Sequence, residues 1–261
     1  MINIIQSREN KIIKTVRSLS RKKGREKSGL YFAEGLRIVR DSVAHIPDEI
    51  EFLLASQTFF NNNKDFIKTL DSTGKIVYIT EDKLFNEVCD TETPQGIASV
   101  IKIPHKKIID LSCDYILILD GISEPGNMGT IIRTAEAAGV KQICLINNCT
   151  DIYNPKTVRS SMGSVFRMGF ADIVLDDIKK LKSSGFTVAA TALTNSVSIE
   201  DTNIKGKRAI VIGSEAHGVS DAVIDISDIS VRINMCGQIE SLNAAVAAGI
   251  AMYMLKPSME R

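Results

Sequence analysis

From residue 115 onward the chain repeats one pattern. A short apolar run is followed by a turn rich in glycine or small polar residues, then by apolar residues at helical spacing. Strand-like runs cover 115–119, 142–146, 173–175, 187–190, 209–212 and 230–233, and helical spacing covers 129–138, 155–162, 177–184 and 241–254. Strands with no polar face, separated by helices, require a largely parallel sheet covered on both sides. A smaller series precedes it. Runs at 30–33, 50–55, 76–79 and 97–103 alternate with helical patterns, the first marked by Ile12, Ile13, Val16 and Leu19. Gly24 and Gly29 break that first pattern. The expected organisation is α/β throughout: an N-terminal domain over 1–104, a linker over 105–112 containing His105, Lys106 and Lys107, and a second domain over 113–261.

The net charge of +1 conceals an asymmetry. Residues 8–27 hold nine basic groups (among them Arg8, Lys11, Arg17, Arg21, Lys22 and Arg25) against Glu9 and Glu26, a local charge of +7 that leaves the remainder at −6. Such a block fits a polyanion, and a phosphate backbone most readily; a solvated helix face is the alternative reading. The five cysteines form no C-x-x-C pair, as expected of free thiols in a reducing cytoplasm. Three histidines with no zinc-site spacing give no reason to expect a metal. No apolar run reaches bilayer length, and the opening residues lack a long apolar stretch, so neither a membrane nor a secretory leader is expected.

The familiar nucleotide-binding signatures are missing: no G-x-G-x-x-G follows a strand, and no G-x-x-x-x-G-K-[ST] occurs. What remains is three turns, each directly after a strand candidate: 125–133, 213–218 and 235–243. Their glycines allow main-chain groups to approach a ligand closely, which suits an adenine read by the backbone. Each turn alone also fits an ordinary strand–helix joint.

Together the three turns resemble the motifs of the SpoU (TrmH-like) RNA ribose methyltransferases of the SPOUT superfamily. The matching residues are Asn127-Met128-Gly129 with Arg133-Thr134-Ala135, Gly213-Ser214-Glu215 with Gly218, and Met235 and Gly237 with Ser241-Leu242-Asn243. Asn154-Pro155-Lys156 with Arg159, Ser161 and Gly163 resembles the segment between them. The likeness spans roughly 113 to 255. It implies a C-terminal α/β knot, with a deep trefoil knot in a mostly parallel sheet. The smaller N-terminal domain is similar to a ribosomal-protein-like RNA-binding domain. The chain departs from the family at Asn234, where proline is usual, and at Ala244-Ala245, where Val-Ser is usual.

The resemblance further implies S-adenosylmethionine as cofactor, a cytoplasmic homodimer, and methyl transfer to a ribose 2′-hydroxyl, with ribosomal RNA favoured over transfer RNA as the substrate. It places Thr191, Leu193, Gly213, Ile233, Met235 and Leu242 around the cofactor, and Ser241 and Asn243 on the knot loops or the incoming ribose. Arg133 matches the residue that activates the hydroxyl. A guanidinium is a donor and a cation, so orienting the ribose and stabilising an alkoxide suit it better than acting as a base. Asn127 would orient the ribose or Arg133. Glu215 would either pin the guanidinium or cap backbone N–H groups. A binding paralogue without catalysis and an enzyme methylating a base nitrogen are the competing readings.

Overall fold

The computed structural model describes residues 2–71, 74–104 and 108–257. They fall into two compact units, Met1–His105 with Asp151–Arg167, and Lys106–Thr150 with Met168–Arg261. Of the expected linker, His105, Lys106 and Lys107 lie outside the described residues.

In the first unit β1 (Ile2–Ile5), α1 (Lys11–Ser18), α2 (Lys22–Ser28), β2 (Leu30–Glu34), α3 (Leu36–His45) and β3 (Ile50–Ser56) follow one another. Next come α4 (Gln57–Asn62), α5 (Lys64–Asp71), β4 (Val77–Thr80), α6 (Asp82–Asn86) and β5 (Ile97–Lys102). The sheet order is β1-β4-β3-β5-β2, parallel across β1, β4 and β3, and antiparallel where β5 meets β3 and β2. The helix α1 forms for the reason its spacing implies: Ile13, Val16 and Leu19 pack on Phe32, Phe52, Leu54 and Phe85. Its start is fixed by Asn10, whose Oδ1 accepts from the Ile12 N–H at 2.8 Å.

Two features of the basic block differ from the expectation. Gly24 does not break the helical pattern; it lies inside α2. The chain passes so close to α1 that a side chain there would put its Cβ 2.0 Å from the Ser18 carbonyl oxygen. Close approach therefore selects glycine despite its low helix propensity. Arg25 is not an exposed cation. It is 2% exposed, and its Nε and Nη2 donate to Asp151 Oδ2 at 2.8 and 2.6 Å while Nη1 donates to the Leu19 carbonyl at 2.7 Å. A charge so far from water persists only when paired and hydrogen-bonded. Asp151 begins the stretch Asp151–Arg167, which packs within this unit. Tyr153 rests on Tyr31 with ring centroids 4.7 Å apart, and Arg159 Nη1 meets Glu34 Oε1 at 3.2 Å and Asp90 Oδ2 at 3.0 Å.

The second unit contains β6 (Tyr115–Asp120), α7 (Pro125–Ala138) and β7 (Gln142–Ile146). The chain then enters the first unit, where it forms α8 (Pro155–Ser160), and returns as β8 (Gly169–Asp172). It continues through α9 (Leu175–Ser183), β9 (Thr187–Thr191), β10 (Val197–Ser198), β11 (Arg208–Gly213), α10 (Asp221–Ile226), β12 (Ile229–Arg232) and α11 (Ala244–Met254). All seven strands are parallel, in the order β10-β12-β9-β11-β6-β7-β8. One face of the sheet (Ile116, Ile118, Ala190, Val211) packs with Ile178 and Leu181 of α9 and Val223 of α10. The alternate residues Leu117 and Leu119 point to the opposite face, by the two-residue period of a strand. The helix α11 packs against β11 and α7.

The expected parallel α/β architecture is thus observed, with three local differences. The run at 173–175 is not the strand: β8 ends at Asp172, and Leu175 opens α9. Val174 and Asp177 exchange hydrogen bonds there, the Asp177 carboxylate accepting from the Val174 N–H at 3.0 Å, and this turns the chain into the helix. The turn read at 125–133 is already helical, because α7 starts at Pro125. Proline at the first helical position loses no hydrogen bond and has its φ preset. The elements β1, β10 and α10 span only four, two and six residues, too short to register as periodic.

Candidate active site

Strands β12, β9, β11 and β6 are neighbours and parallel, so their C-terminal ends lie side by side. The turns after them are the segments 233–243, 192–196, 214–220 and 121–124. Segments far apart in sequence are thereby gathered on one edge, where open parallel sheets bind ligands.

A chain of side-chain hydrogen bonds joins three of these turns. Asn243 caps α11, its Oδ1 accepting from Ala245 N–H at 2.9 Å and Val246 N–H at 3.3 Å. Its Nδ2 donates to Asn127 Oδ1 at 3.0 Å. Asn127 Nδ2 in turn donates to Glu215 Oε1 at 2.7 Å. Glu215 Oε2 accepts from the Ser123 backbone N–H at 3.3 Å and its hydroxyl at 3.1 Å. Partial burial acts to raise the Glu215 pKa. The bonds from Asn127, from its own backbone and from Ser123 outweigh that effect and hold the carboxyl below its ordinary value. Glu215 is therefore ionised at neutral pH and acts as the acceptor that ends the chain.

The other site residues of the sequence reading fall around this core. Arg133 is exposed on α7, and among the described residues its side chain makes no hydrogen bond or ion pair. Glu215 is engaged by Asn127 and Ser123 and does not pin it. Thr191 Oγ1 donates across the sheet to the Val211 carbonyl at 3.0 Å. Ile233, Met235 and Leu242 are half-buried, Ser241 is exposed, and Leu193 is 65% exposed. With Ile239, 62% exposed, Leu193 gives this edge uncovered apolar surface. Gly213 is needed by the chain itself: a Cβ there would lie 1.9 Å from the Gly218 carbonyl carbon, where the turn doubles back through the Ser214–Gly218 bridge.

Sequence reasoning missed a second polar cluster. Asp120, 3% exposed at the end of β6, accepts from Ser220 N–H at 2.8 Å, Ser220 Oγ at 2.7 Å and Asn147 Nδ2 at 2.7 Å. The available signal was Asn147-Asn148 after a strand run; both residues adopt positive φ, 57° and 56°. Ser123 was missed as well, its signal being only a small hydroxyl after a strand end.

In the first unit, Arg8 and Arg17 share Glu87, Arg8 on Oε1 and Arg17 on Oε2 at 3.5 Å. Lys22 lies 3.9 Å from Glu26, while Lys11 and Arg21 are exposed. The five expected RNA-contacting residues all stand on the surface of the α1–α2 pair and the turn before it.

Residues 114–253 match the family described as SpoU rRNA Methylase, and residues 10–99 match an MRM3-like substrate binding domain. The chain belongs to the SpoU rRNA methylase family. It is similar to the 23S rRNA (guanosine(2553)-2'-O)-methyltransferase RlmP of Bacillus subtilis, 33% identical over 97% of this chain and 98% of that one. Its fold is similar to that of the AdoMet-bound rRNA methyltransferase of Sinorhizobium meliloti, with a TM-score of 0.84 at 27% identity over 97% of each chain. It also resembles the SpoU methyltransferase AviRb of Streptomyces viridochromogenes in complex with AdoMet. That TM-score is 0.83 at 26% identity, over 94% of this chain and 97% of that one. The SpoU family match contains the whole Asn243–Asn127–Glu215–Ser123 chain.

The lowered pKa of Glu215 fixes the sign of a pH effect. Its bonds stabilise the fold fully above the ordinary glutamate range, near pH 4.3, and the stabilisation is lost as pH falls through the depressed value. Glu215→Ala should destabilise the chain by about 1 kcal/mol at pH 7, discounted for solvent exposure. The gap to wild type should shrink toward zero as the pH is taken below 4 (urea denaturation at a series of pH values), because protonation then removes the same bonds. A constant gap would assign the loss to packing.

Proposed function

We propose that this chain is an S-adenosylmethionine-dependent RNA (ribose-2'-O-)-methyltransferase acting on ribosomal RNA. The observation that carries this reading is the Asn243–Asn127–Glu215 chain of hydrogen bonds at the C-terminal edge of the parallel sheet. Its residues are the motif residues of a family whose similar members include a ribosomal RNA 2′-O-methyltransferase. The edge suits the cofactor: exposed apolar side chains at Leu193 and Ile239, main-chain groups of 214–218, and open space beside Gly237 fit an adenosine held by backbone and apolar contact. Thr191, Leu193, Gly213, Ile233, Met235, Ser241, Leu242 and Asn243 are the residues that would hold it. When bound, S-adenosylmethionine supplies an electrophilic methyl group on sulfur.

The protein's own residues do the rest. Asn127 has one amide hydrogen committed to Glu215 and one lone pair committed to Asn243, so its plane is fixed, and it retains one donor and one acceptor site for the ribose. Arg133, with no partner among the described residues, offers its full fork of donors to a phosphate or a developing alkoxide. Holding the hydroxyl in line for attack contributes on the order of 7–11 kcal/mol. Arg133→Ala is expected to reduce methyl transfer by at least ~100-fold while calorimetry still shows S-adenosylmethionine uptake. Near-wild-type transfer would remove Arg133 from the mechanism, and absence of uptake by the wild type would favour a binding paralogue without catalysis.

RNA recognition is assigned to the N-terminal domain, over 1–104, with Arg8, Lys11, Arg17, Arg21 and Lys22 on the phosphate backbone. Reversing the charge of Arg17, Arg21 and Lys22 together should weaken RNA binding and lower the slope of log affinity against log salt by about 2. An unchanged slope would send the RNA elsewhere.

The methyltransferase domain, 113–261, is inferred to be knotted through the turns after β11 and β12, as the family resemblance implies, and to form a homodimer. The support for the dimer is α11, which is apolar all round although one side faces outward, leaving Val246, Tyr253 and Met254 about half exposed. Val246→Asp with Tyr253→Asp should halve the mass read by light scattering; a wild type already of monomer mass would refute the dimer. Among the described residues no helix is long and apolar enough to cross a membrane. A cytoplasmic location follows from the substrate proposed.

A further inference from the structure

A further polar cluster, distinct from the one at Asp120, lies in the C-terminal unit beside the cofactor segments, and none of its side chains enters the reading above. Asn234 Nδ2 donates to Ser198 Oγ at 2.8 Å and to Glu200 Oε2 at 3.2 Å. Its Oδ1 accepts from Arg232 Nε at 3.2 Å. Arg232 Nη1 donates to the Ser196 carbonyl. On the far side Thr202 Oγ1 donates to the Ser198 carbonyl at 2.8 Å, and Glu200 N–H donates to Ser198 Oγ at 3.3 Å. Both amide hydrogens of Asn234 are therefore used on the distant 198–200 segment, while one oxygen lone pair is used within its own segment, on Arg232.

Those segments continue directly into the residues assigned to the cofactor. Thr191 and Leu193 run into Ser196, and Ile233 and Met235 flank Asn234. The backbone pairs Thr191 with Val231, and the Ala192 N–H donates to the Val231 carbonyl at 2.9 Å; beyond that point the two are joined through β10, which pairs with β12 at two positions, Val197↔Val231 and Ser198↔Arg232. So short a pairing holds little by itself. Side-chain bonds from Asn234 and Arg232 extend the join beyond the end of β12, to where both segments leave the sheet. The resemblance implies proline at position 234, which stiffens a chain by fixing its own φ. Asparagine cannot do that; here it ties one loop to the other.

We propose that Asn234 is a positioning residue for S-adenosylmethionine: through Ser198 and Glu200 it fixes the 233–243 segment against the 191–196 segment. The inference rests on the cofactor reading given above. Its effect falls on cofactor affinity, because the bonds hold the walls of the pocket and touch neither Asn127 nor Arg133.

Calorimetry with S-adenosylmethionine and steady-state kinetics on RNA test it. Asn234→Ala should raise both the Kd and the KM for S-adenosylmethionine about tenfold. The kcat at saturating cofactor and the affinity for RNA should stay within about twofold. Asn234→Asp should lose more, since it sets a carboxylate against Glu200. Adding Glu200→Gln to it should recover most of the affinity, because the new amide donates to the new carboxylate. A general folding defect would not be repaired in that way. Wild-type cofactor affinity in both single variants, or a double variant no better than Asn234→Asp alone, overturns the proposal. So does a loss that falls equally on kcat and RNA binding. If the wild type itself takes up no S-adenosylmethionine, the cofactor reading fails first and this inference fails with it.

Discussion

The side-chain amide of Asn243 is the point at which three separate turns of the second unit become one site. Its oxygen closes the open N–H groups at the start of α11, and its nitrogen passes the connection to Asn127 and so to Glu215. A helix N-terminus leaves its first N–H groups without intrahelical partners and carries a partial positive charge. Asparagine meets the first need without adding charge, which leaves the one carboxylate of the chain at the opposite end, on Glu215. An aspartate at position 243 would cap as well but could not donate to Asn127, and the link between turns would break.

That arrangement requires α11 to stay in place over its whole length, and its other end is held just as firmly. Tyr115, at the start of β6, donates its hydroxyl to the Met252 carbonyl. Arg208, at the start of β11 and 7% exposed, donates Nη1 to the carbonyls of Leu255 and Lys256 at 3.0 and 3.1 Å. These are the carbonyls that a helix end leaves open, and cations are favoured there. Burial lowers the Arg208 pKa, and the nearby Tyr115 and Asp114 oppose that effect. Between the two anchors α11 packs against α7, and Gly249 faces the Thr134 methyl at a spacing where a Cβ would make ordinary contact, 3.5 Å. Asn243 and Asn127 head these two helices, so the same packing that buries the helices sets the distance between the two amides.

The sequence made legible what depends on local pattern. Strands such as β6 and β11 are apolar on both faces and could only be buried; α1 shows its apolar stripe directly. The site was legible as residue types at turns, and as a family likeness. Three kinds of fact were hidden. Pro125-Gly126 reads as a turn by composition, yet proline is also the preferred first residue of a helix, and only packing decides between the two. Arg25 reads as one more cation in a basic run, because burial against Asp151 joins residues 126 positions apart. Gly213 reads as an approach point for a ligand, whereas the approaching group is the protein's own chain at Gly218. In each case the deciding contact is nonlocal, and no spacing rule encodes it.

The same nonlocal contacts explain why Arg133 stands free. Glu215 could have paired with its guanidinium, as one of the two sequence readings of that carboxylate held. A carboxylate paired with Arg133 would compete with RNA phosphate for the same fork of donors, and binding would then have to break that pair before forming its own. The structure instead occupies Glu215 with a neutral amide and with Ser123. The carboxylate still orders the turns, through bonds that need no opposite charge. The guanidinium keeps its positive field for whatever anion arrives. On the proposed function, separating the anion that organises the turns from the cation assigned to the RNA would let one edge of the sheet be rigid before RNA binds and still attract it.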